Sequence, residues 1–218
     1  MASRRAAEEL IRQGRVTVNG SAAALGDKVN ELDEVEVDGK RVKEPRRHVL
    51  FMLNKPKGVL STVSDDRGRA TVMDLVPTIP GLHPVGRLDA DSEGLLLVTN
   101  DGELTHWLTH PRFEKEKEYR VWSAGGTLGA AELGALEKGL ELDDGFARAV
   151  VAKVADGGCT VVVREGRNRL IRRMLAAVGH RVVRLKRTRI GGLRLMALEP
   201  GAYRRLTEDD RRLLEQER

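Results

Sequence analysis

Apolar and polar residues along this chain alternate mostly with the two-residue period of strands, interrupted by a few stretches of helical spacing. RRAAEELIRQ, beginning at Arg4, is predicted as a helix capped by Ser3 and stopped by Gly14. RVTVNG then alternates like a strand and ends in an Asn-Gly turn; DEVEVDGKRV is a second strand pair around Asp38 and Gly39. KEPRR, residues 43–47, is predicted as a linker, since Pro45 blocks regular structure. From His48 onward HVLFML and VLSTV are predicted strands around the turn NKPKG, GLLLVT is a buried strand and ELTHWLTH a short helix. EYRVWS is a strand, LGAAELGALEKG a helix with a glycine stop, and ARAVVAKVA with CTVVVRE a hairpin through Asp156, Gly157 and Gly158. NRLIRRMLAAVG is a helix stopped by Gly179, HRVVRLKRTRI and LRLMAL are strands, and Thr207 with Asp210 opens a last helix. Strands outnumber helices and follow one another through short turns. The expected fold class is therefore α+β: a small module over 1–42, the linker, and a domain over 48–218 whose mixed, largely antiparallel central sheet is flanked by helices.

Composition narrows the class. The apolar runs are too short to span a bilayer, and the amino terminus lacks the apolar core of a secretory signal, so the cytoplasm is the expected compartment. A single cysteine, Cys159, excludes an intramolecular disulfide and a cysteine-rich zinc site. The net charge of +5 conceals clustering: ten arginines and lysines lie between Arg164 and Arg189 against one acid, Glu165. Valines and leucines alternate within that block, so its charges are expected on one folded surface facing a polyanion. Residues 1–47 carry ten cations and nine acids, too even a balance for strong general attraction.

The stretch GRLDADSEGLLLVTNDG, residues 86–102, sets Arg87 and Asp89 immediately before an apolar strand. Asp89, Asp91, Glu93 and Gly94 imitate the first half of a calcium loop, but Asn100 occupies the position that needs a bidentate glutamate. His106 and His110 are four apart on a predicted helix with only His83 nearby, short of a zinc set. Neither a phosphate-binding glycine loop nor a GxSxG elbow is present, so no nucleotide or metal cofactor is expected. What remains is a carboxylate beside guanidinium groups, which stays ionised and can act as nucleophile or base. On its own, the Arg87–Asp89 pair reads first as an ordinary ion pair of a turn.

Taken together, GRLDADSEGLLLVTNDG, LNKPKGVLS, EKEYRV and EGRNRLIRRM resemble the motifs of the RsuA/RluB branch of the ribosomal-RNA pseudouridine synthases, and the first 42 residues resemble an S4 RNA-binding domain. The resemblance implies isomerisation of uridine to pseudouridine in ribosomal RNA without any cofactor. It implies that Asp89 initiates glycosidic cleavage and that Tyr119 stacks on the base and assists removal of the C5 proton. Arg172 would pair with Asp89 and hold it ionised. Arg87, Lys55, Lys117, Arg167, Arg169, Arg173 and Arg184 are the expected substrate and RNA contacts, with Arg4, Arg5, Arg12 and Arg15 in the S4-like module. The expected partner is large-subunit (23S) ribosomal RNA or a pre-ribosomal particle, met by a monomer and away from membranes. Small-subunit RNA and a non-catalytic assembly factor on the same scaffold are the alternatives. The chain departs from the family pattern twice. It starts almost at ASRR, where another helix usually precedes, so the S4-like module is expected to be incomplete. Leu170 stands where a polar residue is common.

Overall fold

The computed structural model describes residues 4–30, 32–42 and 48–215. The Ser3 cap and the 43–47 linker lie outside the described residues. The chain divides into two compact units, Met1–His48 with Ile79–Gly81, and Val49–Thr78 with Leu82–Arg218.

In the first unit a helix, α1 (Arg4–Arg12), precedes four short strands: β1 (Val16–Val18), β2 (Ser21–Ala22), β3 (Val35–Val37) and β4 (Lys40–Arg41). They form an antiparallel sheet in the order β2-β1-β3-β4. Both hairpin turns have the primed geometry their sequences dictate, with φ of 51° and 79° at Asn19 and Gly20, and 51° and 70° at Asp38 and Gly39. Arg15 closes the second turn, donating to both Asp38 carboxylate oxygens at 2.8 and 2.5 Å. Arg12 is likewise met by Glu8 and Glu9 on its own helix. Of the four arginines expected to contact RNA here, two are thus offset by local acids and Arg5 is exposed. The Arg4 side chain lies outside the described residues.

The second unit contains β5 (Leu50–Lys55), β6 (His83–Val85), β7 (Glu93–Thr99), α2 (Gly102–Thr109), β8 (Lys117–Ser123), α3 (Ala130–Lys138), β9 (Leu140–Leu142), β10 (Gly145–Ala147), β11 (Val150–Ala155), β12 (Gly158–Val163), α4 (Leu170–Ala177), β13 (Val182–Ile190), β14 (Leu193–Arg194), β15 (Tyr203–Arg205) and α5 (Glu208–Glu215). Its main sheet runs β11-β12-β8-β13-β7-β5-β15, with β14 added to β13 and β6 to β7. Every pairing is antiparallel except β13 with β7. The apolar runs of β5 and β7 lie at the centre, buried along their whole length from Leu50 to Lys55 and from Gly94 to Thr99. Leu50, Met52, Leu95 and Leu97 pack with Leu108 of α2 and Leu214 of α5 in one cluster.

Three segments differ from the expected strands. VLSTV forms no strand, because its hydroxyls bond locally: Ser61 Oγ donates to the Leu88 carbonyl at 2.8 Å and Thr62 Oγ1 to that of Ser64 at 3.0 Å. LRLMAL pairs only over Leu193–Arg194 and then turns through Met196, at φ 52°. ARAVVAKVA is split, since Ala147 ends the separate β9–β10 hairpin and only Val150–Ala155 joins β12. The edge pieces β6 and β15, three residues each, were too short for a period to register.

Gly94 is where these pieces lock. It lies between Lys55 of β5 and Arg187 of β13, with φ at 107°. A Cβ there would meet the Arg187 carbonyl oxygen at 2.3 Å and its nitrogen at 2.7 Å. Only a residue without a side chain admits this approach. Gly94→Ala is expected to cost about 3 kcal/mol from combined backbone strain and overpacking. The measurement is the urea unfolding midpoint, and a shift too small to resolve would show that the strands move apart freely.

Candidate active site

A cleft of about 610 Å³ opens beside the parallel β13–β7 pairing and is lined by Arg87, Asp89, Lys117, Tyr119, Arg169 and Arg187, among others. Asp89 stands in a tight turn ahead of β7, in which the Ser92 N–H donates to the Asp89 carbonyl at 3.0 Å. The turn is held from several sides. Lys55, at the end of β5 and with no accessible surface, donates its ammonium to the carbonyls of Pro56, Asp89 and Ser92 at 3.1, 3.1 and 2.8 Å. Gly58 N–H donates to the Ala90 carbonyl at 2.6 Å. Ser61 Oγ, bonded to the Leu88 carbonyl, also accepts from the Leu88 N–H at 3.1 Å. Lys55 was expected among the RNA-contacting cations. Its burial makes it a positioning residue instead. That burial pushes its ammonium down to about 8, opposed by the charges of Asp89 and Asp91.

The guanidinium nearest the Asp89 carboxylate belongs to Arg169, at 3.6 Å. Arg169 also donates to both oxygens of Asp91, at 3.3 and 3.0 Å. It is the residue before α4 and adopts φ 49°, an uncommon conformation for a side-chain-bearing residue. Arg172, expected to pair with Asp89, sits three residues further on, in α4, and is directed to Asp91. Its Nη2 lies 3.1 Å from the Asp91 carbonyl and 3.3 Å from the carboxylate. The helical rise between Arg169 and Arg172 separates two guanidiniums that a linear motif cannot rank. The Asp91 carboxyl, penalised by burial but held by the Arg169 hydrogen bond and the charges of Arg172 and Arg169, lies below the usual range. Arg172 is itself pulled down by burial, and its Nε is buried with no hydrogen-bond partner among the described residues.

Tyr119 is the third residue of β8, between Val161 of β12 and Arg187 of β13. It is buried, with its ring lining the cleft. Arg187 is also buried. It donates Nε to the Leu95 carbonyl at 2.7 Å and Nη1 to the Tyr119 hydroxyl at 3.5 Å, while Nη2 has no partner among the described residues. Sequence reasoning counted Arg187 in the basic block without assigning it to the cleft. The signal was its alternation with Leu185 on the strand that pairs with Tyr119. Arg87 lines the cleft, exposed and without an ion pair among the described residues.

The basic block is not one surface. Seven of its ten cations meet a carboxylate: Arg164 and Arg189 on Glu116, Arg167 and Arg173 on Asp144, Arg169 and Arg172 on Asp91, and Arg184 on Glu93. Arg167 and Arg173, expected to contact RNA, clamp the β9–β10 hairpin, and Arg167 further donates to the carbonyls of Asp144, Gly145 and Phe146. The Arg173 hydrogen bond holds the Asp144 carboxyl below its usual range. Strand alternation also divides β13, sending Arg187 to the cleft and Arg184 and Lys186 to the opposite face. The His106 and His110 rings lie 4.8 Å apart, tilted to one another, beside Phe113, and no group of three or more metal-ligating side chains occurs among the described residues. No helix among the described residues is long and apolar enough to cross a membrane.

Comparison with known proteins bears on this geometry. Residues 49–177 match the profile of the RNA pseudouridylate synthases, and residues 1–35 match the S4 domain. The chain is 43% identical over 216 residues to the ribosomal large subunit pseudouridine synthase B of Bacillus subtilis, covering 95% of this chain and 88% of that protein. It is 45% identical over 214 residues to an uncharacterised RNA pseudouridine synthase of Aquifex aeolicus, covering 95% and 89%. A crystal structure of a pseudouridylate synthase aligns with a TM-score of 0.71 at 31% identity, covering 97% of this chain and 94% of that one.

Lys117 shares the Tyr119 side of β8 and donates to the Lys115 carbonyl at 3.0 Å. Burial, then the charge of Arg187, pushes its ammonium from 10.5 down to about 8. Below that value both folded and unfolded chains hold the proton, and the fold bears the cost of the buried charge. Between about 8 and 10.5 the folded chain releases the proton while the unfolded chain keeps it, so this cost fades as pH rises. Lys117→Met is therefore expected to be more stable than the parent at neutral pH, with the gain narrowing across that window. Urea titrations at several pH values measure it, and a gain that widens toward high pH would contradict the assignment.

Proposed function

The chain belongs to the RNA pseudouridylate synthase family, and we propose that it isomerises uridine to pseudouridine in large-subunit ribosomal RNA, with Asp89 as the residue that starts the reaction. The observation that carries this reading is the Asp89 carboxylate at the cleft, fixed by a turn whose carbonyls are bound by Lys55 and faced by Arg169. The name of the Bacillus subtilis relative supports the large subunit as the target. A monomer is the working unit in this reading, and ribosomal RNA as substrate supports a cytoplasmic site of action.

The reaction breaks the N1–C1′ bond of uridine, turns the freed base, joins C5 to C1′, and moves the C5 proton away while N1 gains one. Atoms and electrons balance within the nucleotide, so the protein need supply only positioning, charge and proton transfer. A base inside a folded RNA must first leave its stack, and the cleft beside Tyr119 offers an aromatic face in exchange. Arg87 is the exposed cation suited to the backbone of the extruded nucleotide. Asp89 attacks or assists departure at C1′, with the Arg169 guanidinium facing and aiming its carboxylate. Arg172 acts one step back, by fixing Asp91 and Ser92 and hence the turn that carries Asp89. Tyr119, with Arg187 beside its hydroxyl, is suited to accept the C5 proton or relay it.

Two substitutions separate these roles. Asp89→Asn retains size and hydrogen bonding and removes the ionisable group. It is expected to leave thermal unfolding unchanged and to abolish pseudouridine, as read by mapping ribosomal RNA from cells carrying each version of the gene. Turnover near the parent rate would remove Asp89 from the mechanism. Tyr119→Phe retains the ring, so RNA affinity should persist while product formation fails. Tyr119→Ala should also weaken binding, by about 1–3 kcal/mol for a lost base stack. Normal turnover by the phenylalanine variant would rule out the hydroxyl.

A further inference from the structure

The main sheet has a second charged face. Tyr119, Arg187 and Leu185 point to the cleft side, so Arg120, Trp122, Arg184 and Lys186 point to the other. Lys153 of β11, Thr160 of β12, Arg120 of β8 and Lys186 of β13 are successive cross-strand partners. Such partners lie on the same side of a sheet at about 4.8 Å intervals, so three cations form one row. One position along, Trp122 is directly across from Arg184 of β13 on one side and Gly158 of β12 on the other. The indole holds two guanidiniums against it, Arg120 at 4.7 Å and Arg184 at 4.5 Å from the ring centroid.

This concentration of like charge is little offset. Glu93 takes the Nε of Arg184, and Arg120 donates only to the carbonyls of Val121, Cys159 and Asp156. The ammonium groups of Lys153 and Lys186 have no partner among the described residues. Along β13, Arg184 and Lys186 are about 6.7 Å apart at two residues of strand rise, close to the separation of successive phosphates in an extended nucleic-acid strand. Stacking on indole leaves the in-plane N–H groups of a guanidinium available, and the terminal nitrogens of Arg184 are unpaired among the described residues. An ordinary solvated face has no need to hold two arginines on one tryptophan in a chain with only two tryptophans.

We propose that this outer face of β11, β12, β8 and β13 binds the sugar–phosphate backbone of RNA, gripping a segment of the substrate molecule distant from the nucleotide in the cleft. The inference rests on RNA being the substrate, and it adds a second contact on the opposite side of the sheet. A folded RNA reaches both sides by passing around the sheet, so a large substrate gains affinity that an isolated nucleotide strand in the cleft does not.

The test is a salt titration of binding to an in vitro transcript of large-subunit ribosomal RNA, comparing the parent with Lys153→Gln/Lys186→Gln. Neither lysine is bonded to another of the described residues, so thermal unfolding should be unchanged. The slope of log affinity against log salt is expected to shrink by about 1.4–1.8 for two lost contacts. KM should rise while kcat at saturating RNA is retained. Lys186→Glu alone should weaken binding further than Lys186→Gln. An unchanged slope and KM in the double variant would overturn the proposal and leave the face as solvated charge. If the parent fails to form pseudouridine while the double variant still loses slope, the activity reading falls and the RNA face stands.

Discussion

One buried ammonium organises the catalytic half of this protein. Lys55 has no accessible surface and spends its three donors on the carbonyls of Pro56, Asp89 and Ser92, thereby joining the end of a central strand to both ends of the turn that carries the candidate carboxylate. Burying a charge is costly unless every donor is met by an acceptor, and here each one is. The Ser92 N–H already satisfies one lone pair of the Asp89 carbonyl, and the ammonium adds a second bond there while supplying a donor to the carbonyls of Pro56 and Ser92. The arrangement works in both directions: the lysine is tolerated because the turn is there, and the turn keeps its shape because of the lysine. Gly94 completes it by letting β7 approach the Arg187 backbone closely enough for the two strands to pair.

Around that point, charge serves architecture more than attraction. Asp91 sits between Arg169 and Arg172, Asp144 between Arg167 and Arg173, and Glu118 among Arg189, Arg194 and Thr188. Each acid gathers cations from different elements, tying α4 to the Asp89 turn, the 165–173 segment to the β9–β10 hairpin, and β8 to β13 and β14. The partly buried Glu118 network gains from low local dielectric and fixed geometry in a way that isolated surface pairs do not, whereas the Asp144 pairs are exposed and act through their geometry. A positive count along the sequence thus overstates the charge available to a polyanion. Within the basic block, Arg181, Lys186 and Arg187 are the cations that meet no carboxylate among the described residues.

The elements visible in the sequence were those with a clean period or a chemically obligatory turn. GLLLVT could only be a buried strand, and Asn19-Gly20 and Asp38-Gly39 could only be primed turns, because φ is positive at both central residues. VLSTV misled because alternating hydroxyls imitate a strand's outer face; Ser61 and Thr62 spend theirs on nearby carbonyls. The site was half legible. Asp89, Tyr119, Lys117 and Arg87 do line one cleft, as the motifs implied. Which arginine faces Asp89 was not legible, since Arg169 and Arg172 differ by less than a helical turn and the choice depends on the αL conformation at Arg169. Lys55 was equally opaque: a lysine between a strand and a proline reads as exposed, and only its three acceptors make burial possible.

Strand β13 supplies alternate residues to two environments, Leu185 and Arg187 to the cleft and Arg184 and Lys186 to the outer face, and it shifts register at 182/184 and again at 187/189. The consequence is evolutionary. Either face can be retuned by exchanging side chains at every second position without disturbing the other, so substrate preference on one side can drift while chemistry on the other is kept. Changes in length have no such freedom, because a single inserted or deleted residue would send the cleft's arginine outward and an outer cation into the core. Diversification along this strand is therefore confined to substitution, and indels are pushed to the loops at its ends.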